Sequence, residues 1–120
     1  MARILIVDDS RTTRKILRQI LEESGHEVVG EATNGVEGVL QYKELRPDLT
    51  TMDITMPIVD GVEALQQIRE LDPEAKVIMI SAAGQKHKVL AAMKAGAAEF
   101  LTKPLDEAEI TERINKFLGA

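Results

Sequence analysis

The chain has 120 residues, 44% of them hydrophobic and 29% charged, which fits one soluble globular domain and excludes a wholly disordered chain. With no cysteine, a disulfide scaffold, a thiolate zinc site and a cysteine nucleophile are excluded. The formal net charge of −5, no Trp, one Tyr and two Phe argue against a nucleic-acid binder and leave few rings to stack a base or a flavin.

In chain order, Ile4-Leu5-Ile6-Val7 is a β-branched run that suits a strand covered on both faces, and it ends in Asp8-Asp9-Ser10. Thr12 to Ser24 places Ile16, Leu17, Ile20 and Leu21 at helical spacing, and Gly25 stops that helix. Glu27 to Ala32 is a weaker second strand. Asn34-Gly35 opens a helix carrying Val36, Val39, Leu40 and Leu45, halted before Pro47; the helical period after it rules out a hairpin turn. Asp48 to Asp53 is the third strand, and Ile54 to Gly61 a loop. The third helix carries Val62, Leu65, Ile68 and Leu71 and ends at Asp72-Pro73. Lys76 to Ser81 is a strand and Ala82 to Lys86 a loop. A fourth helix with Val89, Leu90 and Met93 stops at Gly96. Glu99 to Thr102 is a short last strand before Lys103-Pro104, and Ile110, Ile114, Phe117 and Leu118 mark the final helix. Repeated βα alternation predicts an α/β fold: a parallel sheet with right-handed crossovers and helices on both faces.

In an open parallel sheet, ligands gather outside the carboxyl ends of the strands. Here the first strand ends in Asp8 and Asp9, the third in Asp53, the fourth in Ser81 and the fifth in Lys103. Any one of these residues alone reads as a turn former, a helix cap or a solvated side chain. Together they put three carboxylates, a hydroxyl and an ammonium on one rim, and interacting titratable groups in one cleft mark a functional site. Three like charges repel, and one lysine does not neutralise them. A hard divalent cation does, and Mg²⁺ suits carboxylates, waters and phosphate oxygens. The chemistry that uses such a set is phosphoryl transfer. Asp53 is the expected nucleophile, Asp8 and Asp9 the metal ligands, Ser81 a donor to a phosphoryl oxygen and Lys103 its counter-charge.

Four stretches then carry a family resemblance: Leu5-Ile6-Val7-Asp8-Asp9-Ser10; Met52-Asp53-Ile54-Thr55-Met56-Pro57 running on to Val59-Asp60-Gly61; Ile80-Ser81-Ala82; and Lys94-Ala95-Gly96-Ala97 leading to Phe100-Leu101-Thr102-Lys103-Pro104. Over its whole length the chain resembles the receiver domain of two-component response regulators, and within that family the single-domain chemotaxis regulators. The resemblance implies a flavodoxin-like (βα)5 three-layer sandwich with a five-stranded parallel sheet in the order 2-1-3-4-5. It implies that Asp53 is the phospho-acceptor, and that Asp8, Asp9, Asp53 and the Thr55 backbone carbonyl bind Mg²⁺. Ser81 and Phe100 then match the switch positions, Lys103 the lysine that contacts the phosphoryl group, and Lys103-Pro104 a cis bond. Phe100 stands where the best-known chemotaxis regulators have Tyr, and Thr55 and Ala83 replace an amide and a carboxylate bordering the phosphoryl group.

The partners so implied are a histidine kinase or phosphotransfer domain as donor and a downstream protein, such as a flagellar motor switch. That protein would read the face built from the fourth helix, fifth strand and fifth helix. The protein is expected to act as a monomer that binds neither nucleic acid nor membrane: the apolar stretches fall far short of the ~20 residues of a membrane span. Met1-Ala2-Arg3-Ile4 lacks the features of a signal peptide, so the expected compartment is the cytoplasm. Residues 1–120 are expected to be one receiver domain without an effector domain, ending at Gly119-Ala120 soon after the last helix. Without a G-x-x-x-x-G-K-[ST] run the phosphate is not expected to come from ATP through a P-loop.

Arg11, Arg14, Lys15 and Arg18 give the first helix a basic exposed side, read as a solvated face or a dock for the phosphodonor. His26 and His87 lack a metal-ligand spacing and are expected on the surface; Met79 and Met93 are expected in the core. Lys86-His87-Lys88 puts positive charge at the start of the fourth helix, against its dipole. The alternatives in play are a phosphorelay shuttle, a receiver cut from a longer regulator, a small Mg²⁺-dependent aspartyl-phosphate phosphatase and a flavodoxin-like electron carrier. The phosphatase lacks an acid two residues after Asp8 or Asp53, where Ser10 and Thr55 stand. For the electron carrier, Asp8-Asp9 would repel the flavin phosphate.

Overall fold

The computed structural model describes residues 2–118. Met1 and Gly119-Ala120, on which the readings of the chain's start and end rest, lie outside the described residues. The elements are β1 (Arg3–Val7), α1 (Arg11–Glu23), β2 (Glu27–Ala32), α2 (Gly35–Leu45), β3 (Leu49–Asp53), α3 (Gly61–Leu71), β4 (Val77–Ser81), α4 (Lys86–Lys94), β5 (Glu99–Thr102) and α5 (Glu107–Phe117). All strand pairs are parallel, and the order is β2-β1-β3-β4-β5, as the resemblance implies.

The β-branched runs become the middle strands because both faces of the sheet are covered. Side chains alternate across a strand. Leu5, Val7, Met52, Val77 and Met79 therefore join Val39, Ala64, Leu65 and Ile68 in one core layer. Ile4, Ile6, Leu49, Ile78 and Ile80 join Leu17, Leu21, Ile110 and Ile114 in the other. Every residue of β3 and β4 is buried. No helix among the described residues is long and apolar enough to cross a membrane.

The helices bury different faces from those expected at several points. In α2 the buried residues are Gly35, Gly38, Val39 and Tyr42, while Val36 and Leu40 are exposed. The reason is that Gly38 lets the helix close on Val7, where a Cβ would press on that side chain, and Tyr42 reaches Asp72 with its hydroxyl at 2.8 Å. Ile16, Leu71, Leu90 and Met93 are likewise exposed. Met93 thus departs from the core position expected for it, whereas Met79 is fully buried. On α4 the sheet is met by Val89 and Ala92, so Leu90 and Met93 turn outward.

Two glycines fix the loop after β3. A Cβ on Gly35 would collide with the Val59 backbone, and one on Gly61 with the Asp53 carbonyl oxygen. The Gly61 N–H donates to the Ile54 carbonyl at 2.7 Å, so α3 starts directly against the end of β3. Gly61→Ala should lower stability by about 1–3 kcal/mol, the cost of forcing extra volume into packed structure. Urea unfolding measures it; an unchanged midpoint would show that the loop gives way freely.

Candidate functional site

The end of β1 is tied on three sides. The Asp8 N–H donates to the Ala32 carbonyl at 3.0 Å, and the Ser10 N–H donates to Asp8 Oδ1 at 2.8 Å. The Arg14 guanidinium donates to the Asp8 carbonyl at 2.7 Å. Ser10 also caps α1, its hydroxyl accepting from the Thr13 N–H. Asp53 closes β3, in register with Ile80. One carboxylate oxygen each from Asp8, Asp9 and Asp53 lie within 4.8 Å of one another. Asp8 is 1% exposed and Asp53 6%, while Asp9 lies open to solvent. Lys103 brings Nζ to 3.6 Å from Asp8 Oδ2, an oxygen that has no hydrogen-bond partner among the described residues. The Lys103–Pro104 bond is cis.

This arrangement opposes full ionisation. Burial, and then the Asp8 charge, push the Asp53 carboxyl up to about 7; Lys103 offsets part of this. Asp8 is also raised, first by burial, against the pull of the Ser10 N–H and Lys103. Three carboxylates that each bring an oxygen to one spot, with a buried Asp8 oxygen that makes no hydrogen bond, form an all-oxygen donor set, open on the Asp9 side. Hard divalent cations take that chemistry, so the residues present fit Mg²⁺.

The remaining rim residues sit around this cluster. Ser81 ends β4, buried, and its hydroxyl donates to the Leu101 carbonyl at 3.5 Å. Phe100 is 37% exposed, on β5 beside Met79. With Ser81, Ala83 and Val89 it lines a largely apolar cavity of about 200 Å³ under the β4–α4 loop. The Thr55 side chain is exposed and accepts from Gln85 Nε2, with Lys88 Nζ at 3.5 Å. Sequence reasoning missed Gln85 and marked Lys88 only as part of the positive charge opening the fourth helix; the one signal for Gln85 was a helix start without a Ser, Thr, Asp or Asn cap.

The basic side of α1 is smaller than its sequence suggests. Arg14 and Arg18 pair with Glu31 of β2 at 3.1 and 2.8 Å, leaving Arg11 and Lys15 exposed. His87 is on the surface as expected, whereas His26 is half-buried, its Nδ1 accepting from the Ala2 N–H at 3.2 Å.

Residues 4–115 match the response regulator receiver domain family. The chain belongs to that family. It is 50% identical over 114 residues to the chemotaxis protein CheY of Thermotoga maritima, covering 95% of each chain. With CheY of Bacillus subtilis it is 50% identical over 117 residues, 98% of each. A crystal structure of a CheX–CheY–BeF3–Mg²⁺ complex from Borrelia burgdorferi superposes with a TM-score of 0.92 at 42% identity, covering 97% of this chain and 88% of that one.

The acidic cluster of this receiver domain makes stability depend on pH in a direction opposite to most carboxylates. Folded Asp53 holds its proton up to about 7. The unfolded residue releases it near 4. Between those values the folded state binds more protons, so stability falls as pH rises. In chelator, the protein should therefore be more stable near pH 5 than near pH 7.5. Asp53→Asn should stabilise it at the higher pH by at least about 1 kcal/mol, roughly one pKa unit. Thermal unfolding against pH reads both; a wild type that gains stability on going from pH 5 to 7.5 would refute the raised Asp53.

Proposed function

We propose that this receiver domain is a phospho-acceptor switch that takes a phosphoryl group from a phosphohistidine onto Asp53 and thereby changes partner binding. The observation that carries the reading is the trio of Asp8, Asp9 and Asp53 with Lys103 beside it. An Asp53 oxygen attacks phosphorus, the P–O bond forms, and the P–N bond to the donor imidazole breaks. The leaving nitrogen keeps the electron pair and takes up a proton, and Asp53 becomes an acyl phosphate. Asp8, Asp9, Asp53 and the Thr55 carbonyl would hold Mg²⁺, which when bound neutralises charge on the phosphoryl oxygens. Lys103 supplies a cation to the phosphoryl group and Ser81 a hydroxyl donor. Hydrolysis of the acyl phosphate resets the switch.

The donor is a histidine kinase or phosphotransfer domain in the cytoplasm, and the pathway is chemotaxis. Near full-length similarity to CheY proteins supports the pathway and a single-domain monomer whose output is binding. For the readout, exposed Leu90, Met93 and Phe100 support the α4–β5–α5 face. When Ser81 turns toward the phosphoryl group, Phe100 can enter the adjoining cavity. Burying that ring is worth roughly 1.5–3 kcal/mol, enough to move a two-state equilibrium. A flagellar motor component is the partner this reading assigns to that face.

Incubation with acetyl phosphate and Mg²⁺ should add one base-labile phosphoryl group, and Asp53→Asn should abolish it without unfolding the protein. Phosphate on Ser81 or on a histidine, read by mass spectrometry, would sink the assignment. Calorimetry should show weak Mg²⁺ binding by the wild type, and Asp8→Ala should weaken it at least tenfold. Ser81→Ala should still accept phosphate but blunt the amide shifts at Val89 and Phe100, and Lys103→Ala should abolish them. Full shifts in Lys103→Ala would break the proposed link between phosphate and face.

A further inference from the structure

The strand beside Asp53 ends in two hydrogen-bond donors, and both are engaged elsewhere. The Ser81 hydroxyl donates to the Leu101 carbonyl. Ala82 is the first residue beyond β4, past the last β4–β5 pair, Ser81 with Thr102. With no strand to bond, its N–H donates to the side chain of Gln85, reaching Oε1 at 2.7 Å. The other end of the same carboxamide donates from Nε2 to the Thr55 hydroxyl, two residues after Asp53. One side chain thus spans the β4–α4 and β3–α3 loops.

Gln85 holds this position at the expense of its helix. It is the N-cap residue of α4, yet its side chain makes no capping bond. Ser10, Asn34, Asp60 and Asp106 each cap their helices with a side-chain oxygen. The first turn of α4 has no acidic residue and carries Lys86 and Lys88, so the helix dipole is opposed as well. What the Gln85 carboxamide does in place of capping is occupy the Ala82 N–H and tie it to Thr55.

We propose that Gln85 is a positioning residue that competes with the phosphoryl group for the Ala82 N–H, so that phosphorylation must exchange one acceptor for the other. The inference rests on the reading of Asp53 as phospho-acceptor. A phosphoryl group on Asp53 brings three anionic oxygens to the rim, and a backbone N–H serves one good acceptor at a time. A charged oxygen outbids a neutral carboxamide, so the exchange proceeds. It still forfeits the Gln85 bond, which lowers the affinity of the site for a phosphoryl group. Release of Gln85 from the Ala82 N–H also loosens its bridge to Thr55 at the uncapped start of α4, leaving Lys88 as the other α4 contact of that hydroxyl.

The test uses the whole chain and beryllofluoride, a phosphoryl mimic, titrated in saturating Mg²⁺ and followed by amide shifts. Gln85→Met keeps the side-chain length and removes both bonds; Gln85→Glu keeps an acceptor for Ala82 and removes the donor to Thr55. Gln85→Met should bind beryllofluoride about two- to tenfold more tightly than wild type, the range one net hydrogen bond carries. Gln85→Glu should bind no more tightly than wild type. In the absence of beryllofluoride, the Ala82 amide proton should move upfield in Gln85→Met and stay in place or move downfield in Gln85→Glu. Unchanged or weaker binding by Gln85→Met overturns the inference. Equal tightening by both variants also overturns it, because a looser α4 would then be the cause. A wild type that binds Mg²⁺ but no beryllofluoride overturns the acceptor reading and this inference with it.

Discussion

The site depends on carboxylates held closer together, and drier, than they would choose. Asp8 and Asp53 are buried and share a space with Asp9 in which single oxygens approach within 4.8 Å. In water such groups would separate and hydrate. Here the backbone does not allow it: Asp53 is the last residue of a strand with every side chain buried, and Asp8 follows a strand whose last four residues are. The packing energy of two apolar layers therefore holds the acids in place, and the repulsion appears as raised affinity for protons. A divalent cation would relieve the same repulsion, so one constraint explains both the raised proton affinity of the site and its fit to a metal.

The stiffness that holds the acids stops at the end of β4. Up to Ser81 the strand is buried and bonded on both edges. From Ala82 to Gln85 the chain is held by a few polar contacts, and α4 begins without a side-chain cap. Local opening draws on segments with few buried contacts. The chain places such a segment against its most electrostatically stressed residues, and beside it lies the cavity that Phe100 lines. A charge change at Asp53 would thus meet a fully buried strand on one side and a loop held by few contacts on the other, and the proposed switch draws on that loop.

Much of this was legible in the sequence, for physical reasons that also mark where legibility ended. Ile4 to Val7 and Val77 to Ile80 read as strands because both faces are covered, which demands continuous apolar runs. The strand-terminal acids, Ser81 and Lys103 read as a site because topology alone brings those ends to one rim. Helix faces were less legible. Periodicity identified α2 and α4 as helices but chose Val36, Leu40, Leu90 and Met93 for the buried side, when small residues such as Gly38 and Ala92 make the close contacts. Pairs far apart in sequence were invisible. Nothing local to Arg14 and Arg18 announces Glu31 as their partner, and nothing about Gln85 announces Thr55, thirty positions away.

The net charge of the site is what would bring the loop into the proposed reaction. Three ionised carboxylates, Lys103 and one divalent cation sum to zero, a state that a buried site tolerates well. Converting Asp53 to an acyl phosphate replaces a charge of −1 by one close to −2. The excess negative charge falls at the end of β3, whose neighbour there is β4. Lys103, beside Asp8, meets part of that charge, and the neutral donors at the end of β4 that can meet the rest are the Ser81 hydroxyl and the Ala82 N–H. Each must give up its present acceptor, Leu101 in one case and Gln85 in the other. In the proposed switch the first exchange would draw Ser81 away from the β5 backbone next to Phe100, and the second would release the Gln85 side chain at the start of α4 from the Ala82 N–H. On the proposed reading, the electrostatic demand of one phosphoryl group would thereby be converted into two local rearrangements beside the surface that Leu90, Met93 and Phe100 expose.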